Sequence, residues 1–195
     1  MIDLSKIDKT WTLFLDRDGV INHEQHKEYI HTWEEFIFYD GVKEAIAVFA
    51  QMFGRIIVVT NQRGIGRGLT KFENIQLIHK NMINEIRKAG GRIDALYFCP
   101  DPTDESPNRK PNPGMGLQAM QRFPEIDPAT SIMVGNTLSD MQFGRNLGFK
   151  TIFLPTTRPE VDIHDERIDA VYGSLFAFAT DLKNYVDSNN QIIGK

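Results

Sequence analysis

The sequence predicts an α/β fold, a three-layer α/β/α Rossmann-like arrangement around a central parallel sheet. Three observations carry this. Short apolar runs of strand length alternate with longer stretches of helical period along the whole chain. The run at 12–15 is of the kind found in buried strands, and that at 55–60 is rich in β-branched residues. Chemistry-bearing residues also follow the runs directly, where open parallel sheets bind ligands.

Thr12-Leu13-Phe14-Leu15 reads as the first buried strand, ending at Asp16. Val42, Ala45, Ile46, Phe49 and Met52 then keep a helical spacing over residues 42 to 53, and Gly54 stops that helix. Arg55 to Thr60 is a second strand, followed by the glycine-rich loop Asn61 to Gly68. Thr70, with Glu73 three residues on, forms a capping box for the next helix, which carries Phe72, Ile75, Leu77, Ile78, Met82, Ile83 and Ile86 and ends near Gly90-Gly91. Ile93 to Phe98 is a third strand. Cys99 to Pro113 is a loop with prolines at 100, 102, 107, 111 and 113, the last opening a helix to about Phe123. Ser131 to Gly135 is a fourth strand, with a helix from about Leu138 to Leu147 behind it. Lys150 to Leu154 is a fifth strand and Ala170-Val171-Tyr172 a short edge strand, and Ser174 caps a last helix ending near Val186. Ile21 to Asp40 is aromatic and charged without a clean period, and reads as a small hairpin or flap.

The chain of 195 residues suits a single domain spanning 1–195 with a small flap at about 20–40. A net charge of −4 gives no global attraction to nucleic acid or to an anionic membrane surface. Cys99 is the one cysteine, which excludes an intrachain disulfide and fits a reducing compartment. No apolar run approaches the roughly 20 residues of a membrane helix, and the N-terminus lacks an apolar signal core. A cytoplasmic monomer without nucleic-acid or membrane partners is expected.

The strand ends gather one kind of chemistry. The first delivers Asp16 and Asp18, the second Thr60 and Asn61, the loop after the third Arg109 and Lys110, and the fourth Asn136 with Asp140 a turn later. Phosphoryl transfer needs positive charge and N–H donors around an anionic transition state, which Lys110, Thr60, Asn61 and backbone amides supply. Adjacent carboxylates repel a phosphate unless a hard cation lies between them, and Mg²⁺ takes one or two carboxylates plus substrate oxygens. Asp16 can then attack phosphorus, splitting one hard step into two through an aspartyl phosphate. Asp18 can protonate the leaving oxygen and later activate water. Arg63 and Arg67 lie in the glycine loop aimed at the site, where phosphate or sugar contact competes with plain solvation. His23, His26 and His31 form a polar run whose role is open, with exposure favoured over metal binding.

Leu13 to Asn22, Val58-Val59-Thr60-Asn61, Lys110, and Met133 to Asp140 resemble, in order and spacing, the four motifs of haloacid dehalogenase (HAD) superfamily phosphatases. The resemblance covers about residues 10 to 155. It implies the HAD fold, Mg²⁺ held by Asp16, Asp18 and Asn136, and hydrolysis of a phosphomonoester. Asp140 would hold the metal shell from behind. Asn61-Gln62-x-Gly64-Ile65-x-Arg67-Gly68 and Arg109-Lys110-Pro111-x-Pro113-Gly114-Met115 further resemble the histidinol-phosphatase-type subfamily. By that likeness Arg109 binds substrate, and the substrate is a small phosphorylated metabolite such as a heptose bisphosphate, with histidinol phosphate as the alternative. The gaps between motifs leave no room for a separate cap domain.

Two positions depart from the family pattern. Asn136 stands where an aspartate ligand is usual, so weaker Mg²⁺ binding is expected, and a catalytically weakened binding or scaffold protein is the second reading. The loop before Lys110 keeps Cys99 but no other cysteine, so the subfamily's structural zinc is not expected.

Overall fold

A computed structural model describes residues 2–25 and 29–193. Strands β1 (Thr12–Leu15), β2 (Arg55–Asn61), β3 (Ala95–Cys99), β4 (Ser131–Gly135), β5 (Lys150–Phe153) and β6 (Ala170–Val171) form one sheet in the order β3-β2-β1-β4-β5-β6. Every pairing is parallel. Helices α1 (Val42–Met52), α2 (Arg63–Gly66), α3 (Phe72–Lys88), α4 (Gly114–Arg122), α5 (Leu138–Leu147) and α6 (Leu175–Ile193) connect or follow them.

The strands bury both faces, as their uninterrupted apolar character requires. Leu13, Leu15, Ile56, Val58, Ile132 and Val134 pack with α1, α3 and α6 on one side. Phe14, Ile57, Val59 and Met133 pack with α4 and α5 on the other. Period-two alternation thus splits each strand between two cores, giving the expected three layers.

The strand order reverses at β1. The chain runs outward through β2 and β3, then returns to β4 on the other flank of β1. That switch point opens a crevice at the carboxyl ends of β1 and β4. Asp16 leaves β1 there, its N–H donating to the Val134 carbonyl at 3.0 Å. Between β1 and β2 the described residues hold the flap and α1. Between β2 and β3 they hold α2 and α3.

Two expectations need correction. Thr70 and Glu73 form no capping box. Lys71 is the N-cap of α3 without a side-chain bond, because the Thr70 hydroxyl is taken at 2.6 Å by the His31 ring. A full capping box sits instead on α5, where Thr137 and Asp140 bond reciprocally. The last helix runs to Ile193 rather than Val186, since its apolar Leu175, Phe178 and Leu182 anchor the start and no glycine or proline interrupts the chain between them and Ile193. The flap pairs as a hairpin would at its base, through His23 N–H to Ile37 O (2.9 Å) and Tyr39 N–H to Ile21 O (3.1 Å). Trp33 and Phe36 stack within it, and Phe38 meets both rings edge-on.

Candidate active site

The crevice is a cavity of about 310 Å³. Asp16, Asp18, Thr60, Asn61, Arg109, Lys110, Asn136 and Asp140 all line it. Residues from four strand ends therefore meet at one place, as the motif spacing predicts.

Asp16 is 9% exposed. Its Oδ1 accepts the Arg17 N–H at 2.7 Å and lies 2.9 Å from Lys110 Nζ. Oδ2 carries no hydrogen bond among the described residues, so one oxygen is anchored and the other is not. Burial pushes the Asp16 carboxyl well above the usual carboxylate range. The Lys110 ammonium opposes that shift, while Asp140 and Asp18 add to it. Lys110 is 3% exposed. Its Nζ also sits 2.6 Å from Asp140 Oδ1. Burial works against the ammonium, but Asp140 and Asp16 outweigh it and raise its pKa. Asp140 is fixed in turn by α5, its Oδ2 accepting the Thr137 N–H at 3.0 Å and the Thr137 hydroxyl at 2.7 Å.

Asp18 is more heavily partnered. Oδ1 accepts from Arg17 Nε (3.2 Å), Arg17 Nη2 (2.7 Å) and Asn22 Nδ2 (2.9 Å), and Oδ2 from Gln62 Nε2 (2.9 Å). Burial alone would raise this carboxyl. The Arg17 cation and the hydrogen bonds from Arg17, Asn22 and Gln62 outweigh it and hold Asp18 below its ordinary value. Gln62 Nε2 also donates to Thr60 Oγ1 at 3.0 Å, which leaves the Thr60 O–H as a donor for an anion.

Sequence reasoning placed Asn61 as a phosphate contact. Its amide instead closes on the Lys110 main chain, donating to Lys110 O at 3.1 Å and accepting Lys110 N–H at 3.0 Å. Arg63 and Arg67 do not line the cavity. Arg63 Nη2 is drawn to Asp104 Oδ1 at 2.9 Å, the same oxygen that accepts from Arg109 Nε at 2.9 Å. Arg67 Nη1 donates to the Tyr29 hydroxyl at 3.2 Å. Arg17, Asn22, Gln62 and His79 were not singled out from the sequence. Arg17, between two aspartates in sequence, carries no signal of burial there, yet it is 1% exposed. Only the position of His79, on the α3 face shared with Ile75, Ile78, Met82 and Ile86, marked it as an inward polar residue.

The fit to a hard cation rests on Asn136, which is 1% exposed. Its Nδ2 donates to Thr157 Oγ1 at 2.6 Å, while its Oδ1 is buried without a partner among the described residues. A buried acceptor left unpaired is costly, and an amide oxygen beside Asp16 and Asp18 suits Mg²⁺. Gly19, at φ 81°, makes room for this amide: a Cβ there would lie 2.0 Å from Asn136 Nδ2. Among the described residues no group of three His, Cys, Asp or Glu could hold a metal. His23 stacks on Tyr39 and His31 bonds Thr70. His26 lies outside the described residues. In the loop before Lys110, Ser106 Oγ donates to Asp101 Oδ2. Cys99 Sγ lies 3.7 Å from that same Asp101 oxygen and 3.6 Å from Ser106 Oγ.

A family model described as HAD-hydrolase-like matches residues 107–175. A D-glycero-alpha-D-manno-heptose-1,7-bisphosphate 7-phosphatase of Campylobacter jejuni is 40% identical over 146 residues, covering 75% of this chain and 83% of its own. The chain belongs to the HAD-like phosphatase family. A D-glycero-beta-D-manno-heptose-1,7-bisphosphate 7-phosphatase of Pasteurella multocida is 36% identical over 171 residues, 84% of this chain and 91% of the relative. Among solved structures, the D,D-heptose 1,7-bisphosphate phosphatase of B. bronchiseptica complexed with magnesium and phosphate superposes with a TM-score of 0.80 at 30% identity, over 90% of this chain and 99% of that one. The protein is accordingly a phosphoric monoester hydrolase of the HAD type, and its sheet order and switch-point cavity are the HAD fold.

Proposed function

We propose that this phosphatase removes one phosphate from a heptose bisphosphate, with Asp16 as nucleophile and Asp18 as general acid and base. The observation that carries the reading is the asymmetric Asp16 carboxylate, with Oδ1 held by Arg17 N–H and Lys110 and Oδ2 unbonded at the switch point. Asp16 Oδ2 attacks phosphorus as the leaving oxygen takes a proton from Asp18, which the carboxylate takes up when the negative phosphate lies beside it and raises its pKa. Asp18 then strips a proton from water, whose oxygen displaces Asp16 from phosphorus. Lys110, the Thr60 hydroxyl and backbone N–H groups stabilise the equatorial oxygens. Arg109 binds the sugar portion, and Arg63 steadies it through their shared Asp104.

Asp16, the Asp18 carbonyl and Asn136 Oδ1 would hold Mg²⁺, with Asp140 fixing the surroundings. When bound, the ion neutralises the carboxylates and the phosphate so that they can approach. We place the chain in the histidinol-phosphatase-type subfamily, as one domain with a small flap. The bonds among Cys99, Asp101 and Ser106 support a loop that stands without zinc. The net charge of −4 supports a protein free of nucleic-acid partners. Among the described residues no helix is long and apolar enough to cross a membrane. A cytoplasmic monomer is the simplest setting.

The test is phosphate release with Mg²⁺ from both anomers of D-glycero-D-manno-heptose 1,7-bisphosphate, histidinol phosphate and other sugar phosphates. The reading expects one heptose anomer to lead and the Asp16→Asn protein to be silent. A leading histidinol phosphate overturns the substrate, and an active Asp16→Asn protein overturns the mechanism. Asn136 favours a second reading, a binding protein with weakened turnover. A silent parent restored by Asn136→Asp would establish it.

A further inference from the structure

Arg17 is a cation with 1% exposure, wedged between the two catalytic aspartates in sequence. Nε and Nη2 of its guanidinium grip Asp18 Oδ1 at 3.2 and 2.7 Å. Its Nη1 points the other way, to His79 Nε2 at 3.0 Å. Arginine only donates, so Nε2 of His79 must be the acceptor and the ring must carry its proton on Nδ1. Burial first, then the Arg17 cation, keeps the ring neutral and lowers its pKa to about 3, against a pull upward from Asp18. The ring is 5% exposed and packs against Phe98 with centroids 5.3 Å apart. The Phe36 ring covers Arg17 at 5.9 Å.

The Asp18 carboxylate is divided as a result. Oδ1 receives three hydrogen bonds and Oδ2 one, from Gln62. We infer that His79 is a positioning residue, which fixes the Arg17 fork so that Asp18 Oδ1 is the anchored oxygen and Oδ2 the one that exchanges the proton. This rests on the reading of Asp18 as acid and base. Without the ring nitrogen, a buried guanidinium N–H loses its acceptor. The fork then turns to find another, and the carboxyl turns with it. His79 never touches substrate. It acts from α3, 62 residues away in sequence.

Protonation of the leaving group matters little for a good leaving group and much for a poor one. The experiment therefore compares kcat/KM for 4-nitrophenyl phosphate and phenyl phosphate with Mg²⁺. Full general acid catalysis contributes about 10²–10⁴-fold, so a displaced acid should cost about 10-fold or more on phenyl phosphate and under about 3-fold on the nitrophenyl ester. That split is expected for His79→Leu. His79→Gln, whose side-chain oxygen can accept from Arg17, should restore both. Asp18→Asn should show the same split, enlarged. Equal losses on both esters in His79→Leu, or none, overturn the inference while Asp18→Asn still splits them. No split in Asp18→Asn brings down the acid–base reading itself, and the inference with it. Should His79→Leu fail to fold, ring ¹⁵N spectra of the wild type decide: an unprotonated Nε2 from pH 5 to 8 is expected, and a protonated one overturns the proposal.

Discussion

The carboxyl ends of β1 and β4 are neighbours in the sheet but differ in how complete they are. Around Asp18 the fold supplies every partner, from Arg17, Asn22 and Gln62, with His79 behind. At Asn136 one end of the amide is tied to Thr157 and the other is buried with nothing to bond. An unpaired buried acceptor costs roughly 1–3 kcal/mol. The first end is finished by the protein alone, whereas the second is left for a ligand to complete. On the proposed mechanism, acid–base geometry is built in and charge neutralisation is brought from outside.

The largest test of this contrast is on Asp16, the proposed nucleophile between the two ends. Asp16→Asn should lower phosphate release at least about 10³-fold at saturating Mg²⁺, a loss on the scale seen when a nucleophile is removed. Residual activity near that of the wild type would break the comparison at its root. The next effect concerns the finished end. Folding holds His79 neutral with its pKa pushed down to about 3, whereas the unfolded chain takes up a proton there below about pH 6.5. Its contribution is complete above that pH and falls away as the pH drops toward 3. At pH 5 the loss is about 2 kcal/mol. Urea midpoints at pH 7 and 5 should therefore fall further apart for the wild type than for His79→Gln, and equal falls would show that the ring is not held neutral.

At the open end, Asn136→Asp restores a charge to the cation seat. Titration calorimetry should show Mg²⁺ binding about 10-fold tighter, or about 1.4 kcal/mol. Unchanged affinity would mean that the orphaned oxygen serves something other than a metal. The smallest effect lies farther out. Ser106→Ala removes the bond to Asp101 and should cost about 1 kcal/mol in urea unfolding, with turnover retained and no zinc bound in either protein.

The sheet was legible because its strands are short, mostly apolar runs between helical stretches, and β4 and α5 match their expected bounds residue for residue. The aspartates and Lys110 were legible because each follows a strand end. What escaped were groups whose role depends on the partner they meet across the fold. Thr70 has the sequence of a helix cap but meets His31. Asn61 has the chemistry of a phosphate ligand but meets a main chain. Arg17 has the charge of a surface residue but is enclosed by α3 and the flap, where no local pattern reveals a salt bridge. The flap was legible only as a hairpin or flap without strand bounds, because its pairing is confined to isolated bridges, too short to impose a period.

The clasp between the Asn61 amide and the Lys110 backbone has an evolutionary consequence. It pins the lysine to the tip of a core strand, so the stretch from Pro100 to Arg109 need not be ordered in any one way to keep the ammonium beside Asp16. Substitutions in that stretch can therefore rearrange its own bonds while the ammonium keeps its place beside Asp16. Specificity and chemistry are thereby free to drift at separate rates.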